Sequence, residues 1–392
     1  MNLSLLRRKQ LDVVAKQDLY CSLLLSLLVT HQVLPLYTQL FGAFTTLFPP
    51  PILSSAPPSD EYLYLRMEYN NCGDLETYLK HGSEINSQLI LSFFFQMVLS
   101  LYVANRVYGV VHYDVKLLNF FLTKSPERNL IFQFPWGDYE LPSYNGMNWI
   151  VKLGDFGTTE IGIEGNISVG QFTTFENTPP EYLLCDSCTR GATADVWNLG
   201  LSLAHLLIES APYEEVMKDC VCSQAFSRLC HSYWNKSSFR VLRDVLKDDE
   251  SDLLCLTLYR QCVLWFRFDS IPHGNSSPLW NRLYSILSGQ STRSRHEESI
   301  RQKFEEDQLH YSWWFGDHPL IMKARERGEA IPHLQEVLRN LTQFDCTLRM
   351  SYEDLLKHPV FAPLQKKSAR TSGDSVYSID VEKLRGIMNR QL

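Results

Sequence analysis

The sequence has no excess of positive charge, and this limits the partners it can bind. Its 392 residues include 37 Lys and Arg against 44 Asp and Glu, which gives a formal net charge of −7. Binding to nucleic acid or to an acidic membrane surface depends on a basic face, so this balance argues against both partners. Hydrophobic residues make up 45% of the chain, and we therefore expect a globular fold with a large core.

The N-terminus lacks the form of a signal peptide, because charged residues flank its short apolar pieces on both sides. Since the ten cysteines are scattered through a long chain, we expect a reducing, intracellular setting in the cytoplasm. Two uncharged stretches, 19–33 and 88–104, approach the length of a membrane span. Both contain interspersed Gln, Ser or His, and we interpret them as buried helices.

The order of predicted elements separates a strand-bearing part from a helical part. A helix to about Val29 is followed by short strands, by the proline-rich stretch "PPPILSSAPPSD" and by the alternating strand "EYLYLRMEY". A long apolar helix is predicted over 87–108, strands and loops over 110–156, and helices after Glu181. The aromatic-rich stretches within 211–339 are interpreted as core rather than as a partner surface.

Two stretches carry the residue types that phosphoryl transfer needs. The reaction requires a carboxylate to orient the attacking hydroxyl, a cation on the migrating phosphate and oxygen ligands for magnesium. "VVHYDVKLLNFFL" supplies Asp114, Lys116 and Asn119 within an apolar run, and "VKLGDFGTT" supplies Asp155 between an apolar strand and a glycine. Asn119 and Asp155 are the candidate metal ligands.

These stretches resemble the eukaryotic-type protein kinases, whose catalytic loop has His, Arg, Asp, then Lys two residues on and Asn five residues on, followed later by Asp, Phe, Gly. Three further stretches follow in the family's order. "TPPEYLL" is similar to its Ala, Pro, Glu segment, "ADVWNLG" to the start of its central buried helix, and "DCTLRMSYEDLLKHPVF" to its closing motif. The resemblance covers about residues 18–361, and the motif variants are similar to divergent serine/threonine kinases of large DNA viruses.

The resemblance implies an α+β bilobal protein-kinase fold with a reduced N-terminal lobe and an enlarged, mainly helical C-terminal lobe. The expected boundaries are a partial N-lobe over 1–69, a C-lobe over 70–362 with insertions near 123–150 and 211–339, and a C-terminal tail over 363–392. It also implies that Asp195 anchors the catalytic loop, that Glu181 and Arg349 form a buried ion pair, and that His112 stacks on Phe156.

The implied reaction is transfer of the γ-phosphate of ATP, with Mg²⁺, to Ser or Thr hydroxyls of a protein substrate. Asp114 would orient the hydroxyl, Lys116 would stabilise the phosphate, and Thr174 would bridge the two. Asn119 and Asp155 would hold magnesium. For the nucleotide site, the resemblance implies that Met67 is the gatekeeper beside the base and that the backbone of Glu68 and Asn70 bonds to adenine. The other residues implied for this site are Lys116, Asn119, Phe121 and Asp155.

The chain departs from the family pattern at three places. "MNLSLLRRKQLDVVAKQD" contains no glycine, so the glycine-rich loop over the phosphates is missing. The acidic position of the first helix falls near Asp18, but the lysine that pairs with it has no clear counterpart; Lys9 and Lys16 are candidates. Tyr113 replaces the arginine that receives an activation-loop phosphate, so we expect activity that does not depend on that phosphate.

Three alternatives remain open at this stage. In the first, the chain is a catalytically weak or inactive pseudokinase that acts as a binding scaffold. In the second, it is an N-terminally shortened copy of an active kinase. The "HYDVKLLN" stretch also fits small-molecule kinases of the aminoglycoside and choline type, which lack the later motifs. Separately, Cys185 and Cys188 have the spacing of half a zinc site, although we favour ordinary reduced cysteines.

Overall fold

The structure is a computed structural model that describes ten segments of the chain: 13–46, 62–81, 85–125, 129–144, 146–162, 174–185, 191–236, 248–269, 277–366 and 374–388. All structural statements below concern these segments. The proline-rich stretch after residue 46 and all of residues 163–173 lie outside them.

The N-terminal part consists of one helix and a two-stranded sheet. Helix α1 (Val13–Thr30) ends before Pro35, as its apolar spacing predicts. Strands β1 (Leu40–Thr46) and β2 (Tyr62–Met67) pair antiparallel, and helix α1 packs against β1. Strand β2 ends two residues before the predicted lobe boundary at 69, and the chain continues into helix α2 (Leu75–Lys80).

Helix α3 (Ser87–Tyr108) forms the centre of the C-terminal part. The side chain of Asn86 caps its first turn by accepting the Leu89 N–H at 2.9 Å, and Gly109 ends it in the left-handed region with φ of 67°. By length and composition this helix could cross a membrane, but 89% of its apolar stretch is buried within the protein. Helix α3 is therefore a buried core helix, as the sequence predicts.

Short strands follow helix α3 and carry the polar motifs. They are β3 (Val110–Val111), β4 (Phe120–Ser125), β5 (Leu130–Phe134), β6 (Gly137–Leu141), β7 (Asn148–Leu153) and β8 (Glu160–Ile161). The pairs β3–β8, β4–β7 and β5–β6 are all antiparallel. The backbone of Leu153 also bonds to Leu36 and Thr38, at 2.9 and 3.1 Å, which joins the N-terminal part to strand β7.

Helices make up most of the remaining chain. They are α4 (Pro180–Leu184), α5 (Thr193–Ile208), α6 (Gln224–Trp234), α7 (Asp248–Trp265), α8 (Pro278–Leu287), α9 (Arg295–Tyr311), α10 (Pro319–Glu329), α11 (Leu334–Leu341) and α12 (Tyr352–Lys357). Trp265 and Trp313 are fully buried and stack with their ring centroids 5.7 Å apart, while Tyr259 donates to Asp307 at 2.7 Å. The prediction that these aromatic stretches form core is confirmed for Trp234, Trp265, Phe266 and Trp313, whereas Phe268 and Phe315 of the same stretches are exposed.

The segment predicted as a C-terminal tail contributes to the fold. Strand β9 (Ser375–Ser378) adds to the β5–β6 hairpin, in parallel with β5, and helix α13 (Val381–Met388) packs against helix α3. Ile379, Val381 and Leu384 are buried there. Residues 374–388 are thus part of the C-terminal core, and the description of this stretch as a tail is corrected.

Candidate active site

The loop between strands β3 and β4 is held in place by the start of helix α5. The two carboxylate oxygens of Asp195 accept the backbone N–H groups of His112 and Tyr113, each at 2.7 Å. Only 1% of Asp195 is exposed, and this burial raises the pKa of its carboxyl to about 6, although the two N–H bonds act in the opposite direction. The predicted anchoring role of Asp195 is present in the geometry.

Asp114, Lys116 and Thr174 form a closed triangle of polar contacts. The Lys116 Nζ lies 2.7 Å from Asp114 Oδ2, and the Thr174 hydroxyl donates to Asp114 Oδ1 at 3.0 Å. Lys116 Nζ also donates to Thr174 Oγ1 at 3.1 Å. Only 5% of Asp114 is exposed. The three contacts therefore hold a nearly buried carboxylate and the Lys116 ammonium group in fixed positions in the loop between strands β3 and β4.

Asn119 and Asp155 provide oxygen atoms of the kind that Mg²⁺ prefers. The amide nitrogen of Asn119 donates to the backbone oxygen of Asp114 at 2.8 Å and to its Oδ2 at 3.2 Å, so the Asn119 Oδ1 is turned away from these bonds. Gly154 N–H donates to the Asn119 carbonyl at 3.0 Å, which sets the neighbouring Asp155 beside the loop. The Asp155 side chain is exposed, and these donors suit a magnesium ion.

Asp155 has a strained backbone. Its φ is 60°, in the left-handed region, where a residue with a Cβ is disfavoured by about 1–2 kcal/mol. Such strain persists only where the surrounding structure determines it, and it concentrates at functional sites. The strained residue is therefore the same Asp155 that the stretch "VKLGDFGTT" indicates as a metal ligand.

The segment that follows strand β2 offers backbone groups to a flat polar ligand. The Glu68 N–H is bonded to the Gln39 carbonyl at 2.8 Å, but within the described segments the Glu68 carbonyl and the Asn70 N–H form no hydrogen bond. Met67 is the last residue of strand β2. One acceptor and one donor two residues apart are therefore available, as the nucleotide-site prediction requires.

Phe121 and Gly154 pack so closely that a side chain at residue 154 would displace the Phe121 ring. A Cβ on Gly154 would lie 2.8 Å from the Phe121 ring and 3.1 Å from Thr38 Oγ1. Phe121 pairs with Lys152 across strands β4 and β7. This close contact connects the predicted nucleotide residue Phe121 with the residue that precedes Asp155.

The pair formed by Lys152 and Glu68 was not predicted from the sequence. Lys152 Nζ lies 2.5 and 2.7 Å from the two carboxylate oxygens of Glu68, and only 6% of Lys152 is exposed. The pair ties strand β7 to the segment after strand β2. A lysine inside the apolar strand "NWIVKL" is the sequence signal that points to a buried partner.

Helix α1 contacts the Asp155 segment through Asp18. The Asp18 Oδ1 accepts the Phe156 N–H at 3.2 Å and the Ser22 hydroxyl at 3.2 Å. Burial is the main cause that raises the pKa of Asp18, and the nearby Asp155 charge adds to it. Within the described segments no lysine pairs with Asp18; Lys16 forms no ion pair there, and Lys9 lies outside them.

Two further predicted contacts are present. The rings of His112 and Phe156 are 5.6 Å apart and tilted by 59°, so they touch at an angle. Arg349 donates to both oxygens of Glu181, at 2.8 and 2.6 Å, and its side chain is fully buried. Arg349 also donates to the Thr193 carbonyl at 2.8 Å, which connects the Glu181 segment to helix α5.

The structure brings most of the predicted site residues into one connected group. Asp114, Lys116, Asn119 and Thr174 are in direct contact, and Asp155 joins them through Gly154. The nucleotide-site segment joins them through Lys152 and Phe121. No group of three or more metal-binding side chains of the His, Cys, Asp or Glu type occurs in the described segments, and Cys188 lies outside them.

Comparison with known proteins gives independent evidence of ancestry. Residues 39–263, more than half of the chain, match the model of the protein kinase domain. A probable cell cycle serine/threonine-protein kinase, a CDC5 homologue of Encephalitozoon cuniculi, is 27% identical over 40% of this chain and 28% of its own length. An Aurora kinase of Eremothecium gossypii is 28% identical over 50% of this chain and 42% of its own length. The chain thus spans less than half the length of these relatives.

Among solved structures, the CAK complex of Chaetomium thermophilum bound to ATP-γ-S is 15% identical, with a TM-score of 0.44 over 92% of this chain and 81% of that one. At that TM-score the likeness supports no conclusion about this chain. The domain match covers strands β1 to β8, the catalytic loop and helix α5, and so includes every residue of the connected group. This chain belongs to the protein kinase family.

Proposed function

We propose that this chain transfers the γ-phosphoryl group of ATP to Ser or Thr hydroxyls of a protein substrate. The observation that carries the proposal is the triangle of Asp114, Lys116 and Thr174, because it holds a hydrogen-bond acceptor and a cation side by side, 2.7 Å apart, at the edge of the catalytic loop. The family membership and the serine/threonine kinase relatives support the same reaction.

Each residue of the group has a distinct part in the proposed reaction. Asp114 orients the substrate hydroxyl and accepts its proton, and Lys116 stabilises the negative charge on the transferred phosphoryl group. Thr174 holds Asp114 and Lys116 at their observed separation. Asn119 and Asp155 are the residues that would hold Mg²⁺, which when bound neutralises phosphate charge.

The nucleotide base is assigned to the segment after strand β2. The Glu68 carbonyl and the Asn70 N–H form an acceptor and donor pair of the kind that an adenine edge needs, and Phe121 of strand β4 packs closely against Gly154, which directly follows strand β7. The Lys152–Glu68 pair keeps this segment in register with strand β7.

The proposal is tested by phosphate transfer from labelled ATP to a serine peptide. We expect transfer by the native chain and a loss of about 100-fold or more in Asp114→Asn, since a positioned base contributes about 10²–10⁴-fold. The exposed Asp219 provides a matched control, and Asp219→Asn should retain full activity. Equal signals from the native chain and Asp114→Asn would contradict the proposal.

A second measurement separates an enzyme from a nucleotide-binding scaffold. ATP with Mg²⁺ should raise the melting temperature of the native chain, and Asp155→Ala should abolish the magnesium-dependent part of that rise. A rise without phosphate transfer would identify a nucleotide-binding protein without kinase activity.

A further inference from the structure

Two guanidinium groups lie over the ring of Trp314, which follows helix α9. The Arg267 Cζ is 4.9 Å and the Arg339 Cζ is 5.9 Å from the centroid of that ring. The ring is held in place by its Nε1, which donates to the Trp265 carbonyl at 3.1 Å. Each cation–π contact is favourable, but together the two contacts keep like charges near one another. We call Arg267, Trp314 and Arg339 the arginine–tryptophan cluster.

The positive charge of the cluster is only partly neutralised. The Arg267 Nε donates to Asp269 Oδ1 at 2.8 Å, but Asp269 is exposed, and an ion pair with an exposed partner is weakened by water. Arg339 is exposed and forms no hydrogen bond or ion pair with any described residue. Burial is the main cause that lowers the pKa of Arg267, and the Arg339 charge adds to it. An anion shared by the two guanidinium groups would remove this repulsion.

Arg267 gives a second and independent indication of a ligand. Only 8% of this residue is exposed, and its Nη1 is buried and forms no hydrogen bond within the described segments. A buried donor on a charged group is costly without an acceptor. Within the same fold, the buried Arg349 gives both of its Nη atoms to the Glu181 carboxylate. The cluster therefore has an unused donor where a ligand could supply an oxygen.

The number of donors favours a phosphate group over a carboxylate. The Glu181–Arg349 pair shows that one guanidinium group occupies both oxygens of a carboxylate. The cluster presents two guanidinium groups, so it suits an anion with more acceptors. A phosphate monoester has three acceptor oxygens and a charge of about −1.5 to −2, and it can accept from two arginines at once.

Exposed aromatic rings beside the cluster favour a phosphate group that is attached to a peptide. Phe268 directly follows Arg267 and is 56% exposed, and Phe315 directly follows Trp314 and is 46% exposed. These rings add nothing to the binding of free phosphate, but they can bury apolar side chains that flank a phosphorylated residue. A membrane surface is a poorer match, because the chain has a net charge of −7 and acidic lipids would repel it.

We propose that the arginine–tryptophan cluster binds the phosphate group of a phosphorylated serine or threonine in a partner peptide. Arg339 meets the phosphate at the surface, and Arg267 contributes its unpaired Nη1. This binding site is separate from the Asp114–Lys116–Thr174 triangle, and the inference does not depend on the proposed reaction.

The test measures peptide binding by fluorescence anisotropy without ATP, so that no phosphate is transferred. The probe is a fluorescein-labelled peptide with one phosphoserine next to a leucine, beside matched peptides with serine or glutamate at the same position. We expect the phosphoserine peptide to bind about tenfold more tightly than the serine peptide, and the glutamate peptide to bind only slightly more tightly. Equal affinities for the phosphoserine peptide and either of the other two would overturn the proposal.

The variants Arg339→Gln and Arg339→Lys test the cluster itself. Arg339→Gln should abolish most of the preference for phosphoserine, and Arg339→Lys should retain part of it, because lysine keeps the charge but loses the planar pair of donors. Since Arg339 is exposed, Arg339→Gln should keep the native melting temperature. Arg295 is the matched control, an exposed arginine at the opposite end of helix α9, and Arg295→Gln should keep the full preference. Equal losses in the two glutamine variants would contradict the assignment.

Two further measurements distinguish other sources of phosphate binding. Lys116→Ala removes the cation of the catalytic triangle and should leave the preference for phosphoserine intact. If Lys116→Ala abolishes the preference and Arg339→Gln does not, the phosphate binds in the catalytic triangle and the proposal fails. The proposal also fails if the native chain binds vesicles that contain a phosphatidylinositol phosphate but binds none of the peptides.

Discussion

Tyr113 has an apolar environment at the position where related kinases place an arginine. It is 1% exposed and packs with Val111, Tyr182 and Ala194 in a small cluster of its own. Tyr182 follows Glu181, so the cluster joins the catalytic loop directly to the segment that carries the Glu181–Arg349 pair. A packed contact here holds the two segments together without any phosphate group.

Activity should therefore be independent of phosphate in the segment before Thr174. We expect the same rate of phosphate transfer before and after treatment with a protein phosphatase, and the same rate in Thr173→Ala, a position outside the described residues. Rates on one serine peptide, with mass spectrometry to verify dephosphorylation, provide the measurement. Strong activation by a phosphate at Thr173 would contradict this expectation.

The stability that Asp195 contributes should depend on pH. Burial raises its pKa from 3.8 to about 6, so the folded chain binds the proton more tightly than the unfolded chain. This contribution is fully present below pH 3.8 and is lost as the pH rises through about 6. The variant Asp195→Asn lacks this pH-dependent contribution to stability. Because asparagine has only one side-chain oxygen, the variant also leaves one backbone N–H of the catalytic loop unpaired, at a cost of about 1–3 kcal/mol.

The deficit of Asp195→Asn relative to the native chain should thus be larger at about pH 5 than at about pH 7.5. Urea denaturation at both pH values gives the two free energies of unfolding. Asp219→Asn, an exposed carboxylate, is the control and should show no such difference. A deficit that stays constant over this range would rule out the titration of Asp195 as its cause.

At the scale of elements, Asp18 attaches helix α1 to the segment that carries Asp155. Asp18→Asn keeps an oxygen for the Phe156 N–H and removes a charge that burial disfavours, so its stability should remain close to that of the native chain. Asp18→Ala leaves the Phe156 N–H without this acceptor, and we expect a loss of about 1–3 kcal/mol.

Hydrogen exchange of the Phe156 amide measures the contact directly. Exchange should be about tenfold or more faster in Asp18→Ala than in Asp18→Asn, because each 1.4 kcal/mol corresponds to a factor of ten. Equal exchange rates in the two variants would show that helix α1 is not held to this segment by Asp18.

The elements differ in how well the sequence predicts them. Helix α3 was predictable because its apolar run is bounded by Asn86 and Gly109, both local signals. The catalytic loop was predictable because its function fixes the spacing of Asp114, Lys116 and Asn119. The Lys152–Glu68 pair spans 84 positions in the sequence, and no local pattern specifies which carboxylate a buried lysine reaches.

At the scale of the whole molecule, the parts that could not be predicted are long-range combinations. A cavity beside Lys116 and Thr174 is assembled from helix α2, residues 175–177, residues 212–216 and helix α5, and the glutamates that line it look like ordinary surface residues in the sequence: Glu76, Glu176 and Glu214. Strand β9 is four residues long and pairs in parallel with a strand about 245 positions earlier. Short strands of this kind take their partner from tertiary packing rather than from their own composition.

The C-terminal segment should be required for the stability of the whole chain. Leu384 is 4% exposed on helix α13, which packs against the core helix α3, so Leu384→Ala should lower the free energy of unfolding by about 2–4 kcal/mol. Lys383 is exposed on the same helix and is the matched control, with an expected change within about 0.5 kcal/mol for Lys383→Ala.

Removal of residues 374–392 should have a larger effect than Leu384→Ala, because it also takes away Ile379, Val381 and the pairing of strand β5 with strand β9. An unpaired strand edge promotes association between chains, so we expect the shortened protein to melt at a lower temperature and to aggregate. Calorimetry and light scattering provide the measurements. If the shortened protein and Leu384→Ala both unfold like the native chain, residues 374–388 are not part of its cooperative core.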